Sequence, residues 1–292
     1  MAGRNLLVAQ GGGPTAVINS SLLGVIDEAL RRREINGIYG ALYGIEGVLR
    51  EEIIDLKGQD EDLLRGLRRT PGAALGSCRR RLNEKDCRRV LEVFKAHDIG
   101  FFLYIGGNDS MDTADKIDRL ASELGYDVNV IGVPKTVDND LAYTDHCPGY
   151  GSAARYMAIS TLELGLDNRS LPTPITIIEA MGRNTGWLVA STSLARREPE
   201  DAPHLIYFPE IEFAEDKFLS DVEEVYERLG RAVIAVSEGL KDESGEYLGA
   251  SRREVTRDGF GHKLPGGASA YLADLIAAKL KIRCRYEKPG LL

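Results

Sequence analysis

Cysteine is scarce in this chain. Its 292 residues include four, Cys78, Cys87, Cys147 and Cys284. None forms a Cys-x-x-Cys pair, and none stands at ligand spacing from the four histidines. That argues against a disulfide framework or a zinc site, and reduced, idle thiols in a reducing compartment are expected. Surplus positive charge is also missing. The 37 Lys and Arg face 45 Asp and Glu, for a net charge of −8, which speaks against a nucleic-acid or anionic-membrane surface. An anionic substrate would have to be met by local Arg and Lys clusters. No apolar run approaches ~20 residues, and the N-terminus carries neither a basic n-region nor an apolar h-region. A cytoplasmic location is expected. Low-complexity segments and repeats of short fixed period are absent as well.

What is present is a strand-helix alternation of ordinary hydrophobic content, 43%. Short apolar strands are predicted at 6–9, 37–43, 101–105, 128–133, 175–180, 205–208, 232–236 and from 282 on. Helices are predicted at 16–33, 60–69, 84–97, 111–124, 150–166, 215–228 and 265–280. The stretch 44–47 reads as a loop, and 241–261 as a long loop or hairpin. The pattern specifies an α/β fold of mainly parallel sheets flanked by helices. The length suits two lobes, assigned to 1–149 and 150–292, with a site in the cleft between them.

The organising stretch is 101–140. It reads strand, loop, helix, strand, loop, so both loops leave the sheet at its carboxyl edge, where open α/β sheets bind ligands. The first loop is Gly106-Gly107-Asn108-Asp109-Ser110. Its glycines let backbone approach a phosphate, and the helix start adds oriented N–H donors. The second is Pro134-Lys135-Thr136-Val137-Asp138-Asn139-Asp140. Asp138 and Asp140 share a face of an extended segment, so one can take a hydroxyl proton while the other holds a metal. A plain Asx turn is the alternative, and Lys135, three residues before Asp138, tips the balance toward a phosphate site. Gly11-Gly12-Gly13-Pro14-Thr15 is a tight turn into a helix, weak evidence by itself because it matches neither common nucleotide fingerprint. Gly76-Ser77-Cys78-Arg79-Arg80-Arg81 is a candidate phosphate clamp, since Arg offers a rigid fork of donors. Arg183, after Met181-Gly182, could touch a sugar phosphate or the charge that develops in phosphoryl transfer. Glu238 could accept hydrogen bonds from sugar hydroxyls. A salt bridge and a loop cap are the alternatives for these two.

Six runs in this order resemble the phosphofructokinase family: Gly11-Gly12, Gly76-Ser77-Cys78-Arg79, Gly106 to Ser110, Pro134 to Asp140, Met181-Gly182-Arg183 and Ser237-Glu238-Gly239. The resemblance covers essentially the whole chain. It implies phosphoryl transfer to the 1-hydroxyl of fructose 6-phosphate in glycolysis, from ATP or pyrophosphate. Family enzymes that use ATP typically carry Pro-Gly-Thr and Gly-Gly-Asp-Gly at the two loops. Lys135 and Asp109 here point instead to pyrophosphate, one by attracting a small, highly charged donor, the other by repelling a nucleotide's α-phosphate.

By the same resemblance Asp138 is the base, with Lys135, Arg183 and Asp140 completing the catalytic set. Gly11, Gly12, Arg79, Gly107 and Lys135 hold the donor phosphates. Thr136, Asp138, Met181, Gly182, Arg183, Glu238 and Arg285 contact the sugar phosphate. Asn108 and Asp109 face Mg²⁺, and a homo-oligomer, dimer or tetramer, is expected. Three departures accompany it. Asn108 replaces an acidic residue, Pro174 stands where many relatives have an interface arginine, and the chain stops before the family's usual further sugar-phosphate segment, so that the C-terminal part of the family fold is expected to be missing. An ATP-dependent enzyme and a non-catalytic or truncated binding chain of the same fold are the alternatives. A diacylglycerol or NAD kinase fits the 134–140 and 181–183 runs less well.

Overall fold

A computed structural model describes residues 3–250 and 267–290. In the first lobe, β1 (Arg4–Gln10) lies at the centre of a five-stranded sheet. On one side it pairs in parallel with β2 (Ile35–Ala41), and β3 (Ile53–Asp55) then adds antiparallel to β2. On the other side it pairs in parallel with β4 (Ile99–Gly106), followed by parallel β5 (Asn129–Pro134). The apolar run of β1 is buried without alternation because both faces are covered. Leu7 and Ala9 join one core cluster, Leu6 and Val8 the other. The covering helices are α1 (Ile18–Ala29), α2 (Ile45–Arg50), α3 (Glu61–Gly66), α4 (Glu84–Ala96) and α5 (Asn108–Glu123).

The chain leaves β1 toward β2 and returns on its other side as β4. The carboxyl ends of β1 and β4 are therefore a topological switch point, where α/β sheets open a crevice. Gln10 and Ile105 are partners in that ladder, so the Gly11 turn and the Gly106-Gly107 loop emerge side by side.

After α6 (Tyr150–Asn168) comes the second sheet, parallel throughout its described strands. β6 (Ile175–Ala180) lies between β8 (Ala232–Ser237) and β9 (Cys284–Glu287), with β7 (Leu205–Tyr207) beyond β8. β6 and β8 are buried at every position, again splitting their side chains between two clusters. Around this sheet lie α7 (Trp187–Ser191), α8 (Glu215–Leu229) and α9 (Ala268–Lys279).

Three local expectations need correction. The 44–47 stretch opens α2 rather than forming a loop. Its turn of helix is too short to show a period, and it is set by Ile45 and Val48 sinking into the core and by Tyr43, Gly44 and Glu51 at positive φ. Antiparallel β3 was not foreseen, because three residues carry no readable alternation. α5 begins at Asn108, three residues before the predicted helix, with Gly107 as its N-cap. Of the 241–261 stretch, the first part turns back on itself through a Lys241–Tyr247 bridge, and residues 251–261 lie outside the described residues, as do 265 and 266 of the last predicted helix.

Candidate active site

Loop segments meet above the ends of β1, β4, β5, β6 and β8. Lys135 follows β5 directly, and its N–H donates to the Gly106 carbonyl (2.9 Å). Its side chain is buried, at 3% exposure. The Nζ donates to the Gly13 carbonyl (2.5 Å). Burial pushes this ammonium down to about 8, helped by the Arg79 guanidinium and opposed by Asp138. Lys135 thus joins two strand ends with one side chain. A Cβ on Gly12 would stand 3.4 Å from Lys135 Nζ, and one on Gly13 3.6 Å from Arg79 Nη2. The glycine turn is accordingly rimmed by two cations, one buried and one on the exposed Arg79.

The glycines differ in what they do. Gly11 is packed so tightly that a Cβ would meet Ser110 Oγ at 2.6 Å and the Tyr104 hydroxyl at 2.7 Å. Its N–H donates to Ile105 (2.8 Å), and the Gly12 N–H donates to Cys78 (3.1 Å). Both amides that the sequence assigned to a donor phosphate are engaged inside the fold. Gly107 is the N-cap of α5, where backbone donors gather.

Asp138 is held by its backbone. Its N–H donates to Thr136 Oγ1 (3.1 Å), and its carbonyl accepts from Thr185 Oγ1 (2.8 Å) of the second lobe. Its buried Oδ1 has no hydrogen-bond partner among the described residues, and neither has Oδ1 of Asp140. Buried carboxylate oxygens without partners are costly. Burial pushes the Asp138 carboxyl up to about 6, the neighbouring Asp140 adds to the rise, and Arg183 and Lys135 oppose it. A base with that affinity for protons is ionised at neutral pH and still accepts one readily.

Asn108 Nδ2 donates to the other Asp140 oxygen (2.7 Å), so the start of α5 is tied to the loop that follows β5. Asp109 lies in the first turn of α5. Among the described residues no group of three or more His, Cys, Asp and Glu is set to hold a metal. The two orphaned carboxylate oxygens still suit a cation such as Mg²⁺, which takes one or two carboxylates and completes its shell from phosphates and water.

From the second lobe, Met181 and Gly182 follow β6, with Gly182 at φ +123° and a Cβ there 2.4 Å from the Thr185 carbonyl. Glu238 follows β8, its N–H bonded to the Ala180 carbonyl (2.9 Å). Burial raises its carboxyl, Asp138 and Glu179 add to the rise, and Arg183 opposes it. The charges of Asp138, Arg183 and Glu238 therefore act on one another across the lobes. Gly239 is required for this approach, because a Cβ would strike the Arg183 carbonyl at 2.0 Å.

Arg285 is not brought to this group. In β9 it stands opposite Thr176, near the start of β6, whereas Met181 lies past that strand's end, about 16 Å farther at ~3.3 Å per residue. Its guanidinium binds Thr176 Oγ1 (3.0 Å) and Asp167 Oδ2 (2.5 Å). Thr185 and Ser77 were not singled out from the sequence for the bonds they make. A hydroxyl beside a glycine motif was the only signal for either.

Known proteins resemble this chain over nearly its whole length. A protein of Xanthomonas campestris named pyrophosphate–fructose 6-phosphate 1-phosphotransferase is 46% identical over 300 residues, covering 100% of this chain and 71% of that protein. One of the same name from Rhodospirillum rubrum is 44% identical over 277 residues, covering 94% of this chain and 68% of that protein. The crystal structure of a pyrophosphate-dependent phosphofructokinase from Nitrosospira multiformis superposes with a TM-score of 0.86 at 39% identity, over 98% of this chain and 68% of that one. The phosphofructokinase family profile matches residues 5–292, and the chain belongs to that family.

Proposed function

We propose that this chain transfers a phosphoryl group from pyrophosphate to the 1-hydroxyl of fructose 6-phosphate, giving fructose 1,6-bisphosphate and phosphate. The observation that carries the reading is Asp138, a buried carboxyl with an unpartnered oxygen, raised to about 6 and flanked by the buried Lys135 cation. The names of the relatives from Xanthomonas campestris and Rhodospirillum rubrum support the same donor and acceptor.

In this mechanism Asp138 takes the proton of the sugar hydroxyl as its oxygen attacks the near phosphorus of pyrophosphate. The bridging P–O bond breaks and inorganic phosphate leaves. Lys135 and Arg79 hold the donor beside the glycine turn, and Gly107 adds the N-terminus of α5. Arg183 meets the charge of the group in flight. Thr136, Met181, Gly182 and Glu238 hold the sugar. Arg285, tied to Asp167, has no part in it. Asp140, with Asn108 and Asp109 beside it, would hold Mg²⁺, which supplies charge neutralisation of phosphate oxygens when bound. The donor choice is supported by Asp109 in the first turn of α5, where its charge opposes a third phosphate, and by the compact Lys135. The reading also takes the chain as a cytoplasmic homo-oligomer. Among the described residues no helix is long and apolar enough to cross a membrane.

The test is fructose 1,6-bisphosphate formation from fructose 6-phosphate and Mg²⁺, with pyrophosphate and ATP in parallel. Turnover with pyrophosphate and not with ATP is expected. Turnover with ATP alone overturns the donor, and silence with both overturns the activity.

A further inference from the structure

The Gly11–Gly13 turn has two of its three amides engaged within the fold. Gly11 N–H is bound to Ile105 and Gly12 N–H to Cys78. The Gly13 N–H has no partner among the described residues. Its direction is set by the peptide it belongs to. Across a planar trans peptide, the carbonyl of Gly12 and the N–H of Gly13 point in opposite directions. The Gly12 carbonyl accepts a hydrogen bond from Ser77 Oγ (2.5 Å). Whatever holds that carbonyl therefore aims that N–H.

The following peptide is arranged to complement it. The Gly13 carbonyl is taken by Lys135 Nζ, and the next residue is Pro14. Proline has no N–H, so turning this carbonyl onto Lys135 leaves no donor facing the wrong way. The turn thus carries a single free amide among the described residues, that of Gly13, with Lys135 and Arg79 close to the turn's glycines.

The segment that carries Ser77 is itself held firmly. Gln10 and Asn19 are fully buried. Asn19 Nδ2 donates to the carbonyls of Thr70 (2.8 Å) and Gly72 (2.9 Å), while its Oδ1 accepts from Ala74 N–H (2.9 Å) and from Gln10 Nε2 (3.1 Å). Gln10 Oε1 accepts from Leu75 N–H (2.9 Å). Two amide side chains thus clamp 70–75 onto β1 and α1, and Ser77 and Arg79 follow at once. A fully satisfied buried network of this kind specifies one geometry.

We propose that Ser77 is a positioning residue for the phosphoryl donor: its hydroxyl holds the Gly12 carbonyl and so aims the Gly13 N–H at a donor phosphate between Lys135 and Arg79. The inference rests on the phosphotransferase reading above but not on which donor is used.

The experiment compares Ser77→Ala and Ser77→Thr with the unaltered chain. Donor binding is measured by calorimetric titration with pyrophosphate and with ATP, and steady-state constants are measured for donor and sugar separately. Losing one neutral hydrogen bond is expected to weaken donor binding about threefold to tenfold in Ser77→Ala. KM for fructose 6-phosphate and the thermal midpoint should stay unchanged, and Ser77→Thr, which keeps the hydroxyl, should restore most of the loss. A Ser77→Ala chain that binds the donor as well as the unaltered one overturns the proposal alone. So does a loss spread equally over donor and sugar, or one that Ser77→Thr fails to rescue. If the unaltered chain takes only ATP, the donor reading falls and the same Ser77 comparison with ATP decides the proposal. If it binds neither donor, both fall together.

Discussion

The two lobes face the cleft with different materials. The first offers mostly backbone and short, buried charge: a glycine turn, a helix N-terminus, and Lys135 at 3% exposure. Its loops are bonded to one another, Lys135 to Gly106 and Gly13, Asn108 to Asp140, Ser77 to Gly12. The second lobe offers side chains at strand ends, Met181, Arg183 and Glu238, and one of its bonds to the first is that of the Thr185 hydroxyl to the Asp138 carbonyl (2.8 Å). On the function proposed here, the difference follows the chemistry of the two ligands. A phosphate-rich donor is bound by amides and cations whose positions must not drift. A sugar presents hydroxyls in several directions, which longer side chains can follow.

This contrast is open to direct attack. The largest effect is expected at Asp138, where both lobes converge. Asp138→Asn should lower kcat about a thousandfold, within the range for loss of a general base, with KM for both substrates little changed. Next is Gly239→Ala in the second lobe. Its Cβ would strike the Arg183 carbonyl at 2.0 Å, and displacement of that loop by about 1 Å can cost ~100-fold. The loss should appear in constants for the sugar as well as in kcat. Lys135→Met in the first lobe should instead raise KM for pyrophosphate by about tenfold or more, the range for a hydrogen bond to a charged group, and leave KM for fructose 6-phosphate alone. Equal effects on both substrates from either variant would dissolve the division of labour between the lobes.

A pH series sharpens the same picture. Asp138 must be ionised to act, so kcat/KM should rise with pH through about 6. Lys135 must be charged, so pyrophosphate affinity should fall as pH passes about 8. Stability runs the other way for Asp138. Its carboxyl is raised from 3.8 to about 6 in the folded chain, so the native state binds the proton more tightly than the unfolded one. That contribution is fully present below 3.8 and is lost as pH rises to about 6. Above pH 6 Asp138→Asn should therefore melt later than the unaltered chain, and the gain should vanish near pH 4; thermal melts across that range check it. The smallest effect is expected from Thr185→Val. It removes one neutral bond to a backbone carbonyl and should lower kcat about threefold.

Much of the fold was legible because burial leaves a mark in sequence. The strands β1, β4 and β8 are covered on both faces and read as apolar runs, β6 as a β-rich one, and glycine-rich or acidic stretches at their ends marked the loops. β3 and α2 were not legible. Three residues of edge strand and one and a half turns of helix are too short to show a period, and both are set by packing against β2 and α4.

The sequence by itself determined the α/β class, the family, and which residue types gather at the carboxyl edges: two glycine loops, Lys135, the Asp138 and Asp140 pair, and Arg183. Tertiary structure alone decided how they are used. It spent the amides of Gly11 and Gly12 on neighbouring strands, tied Arg285 to Asp167 far from the cleft, and paired Gln10 with Asn19 to hold a segment more than fifty residues away. Each of these turns on the register between strands and on where a peptide plane points. Such quantities are fixed by packing between distant parts of the chain, and no local pattern encodes them.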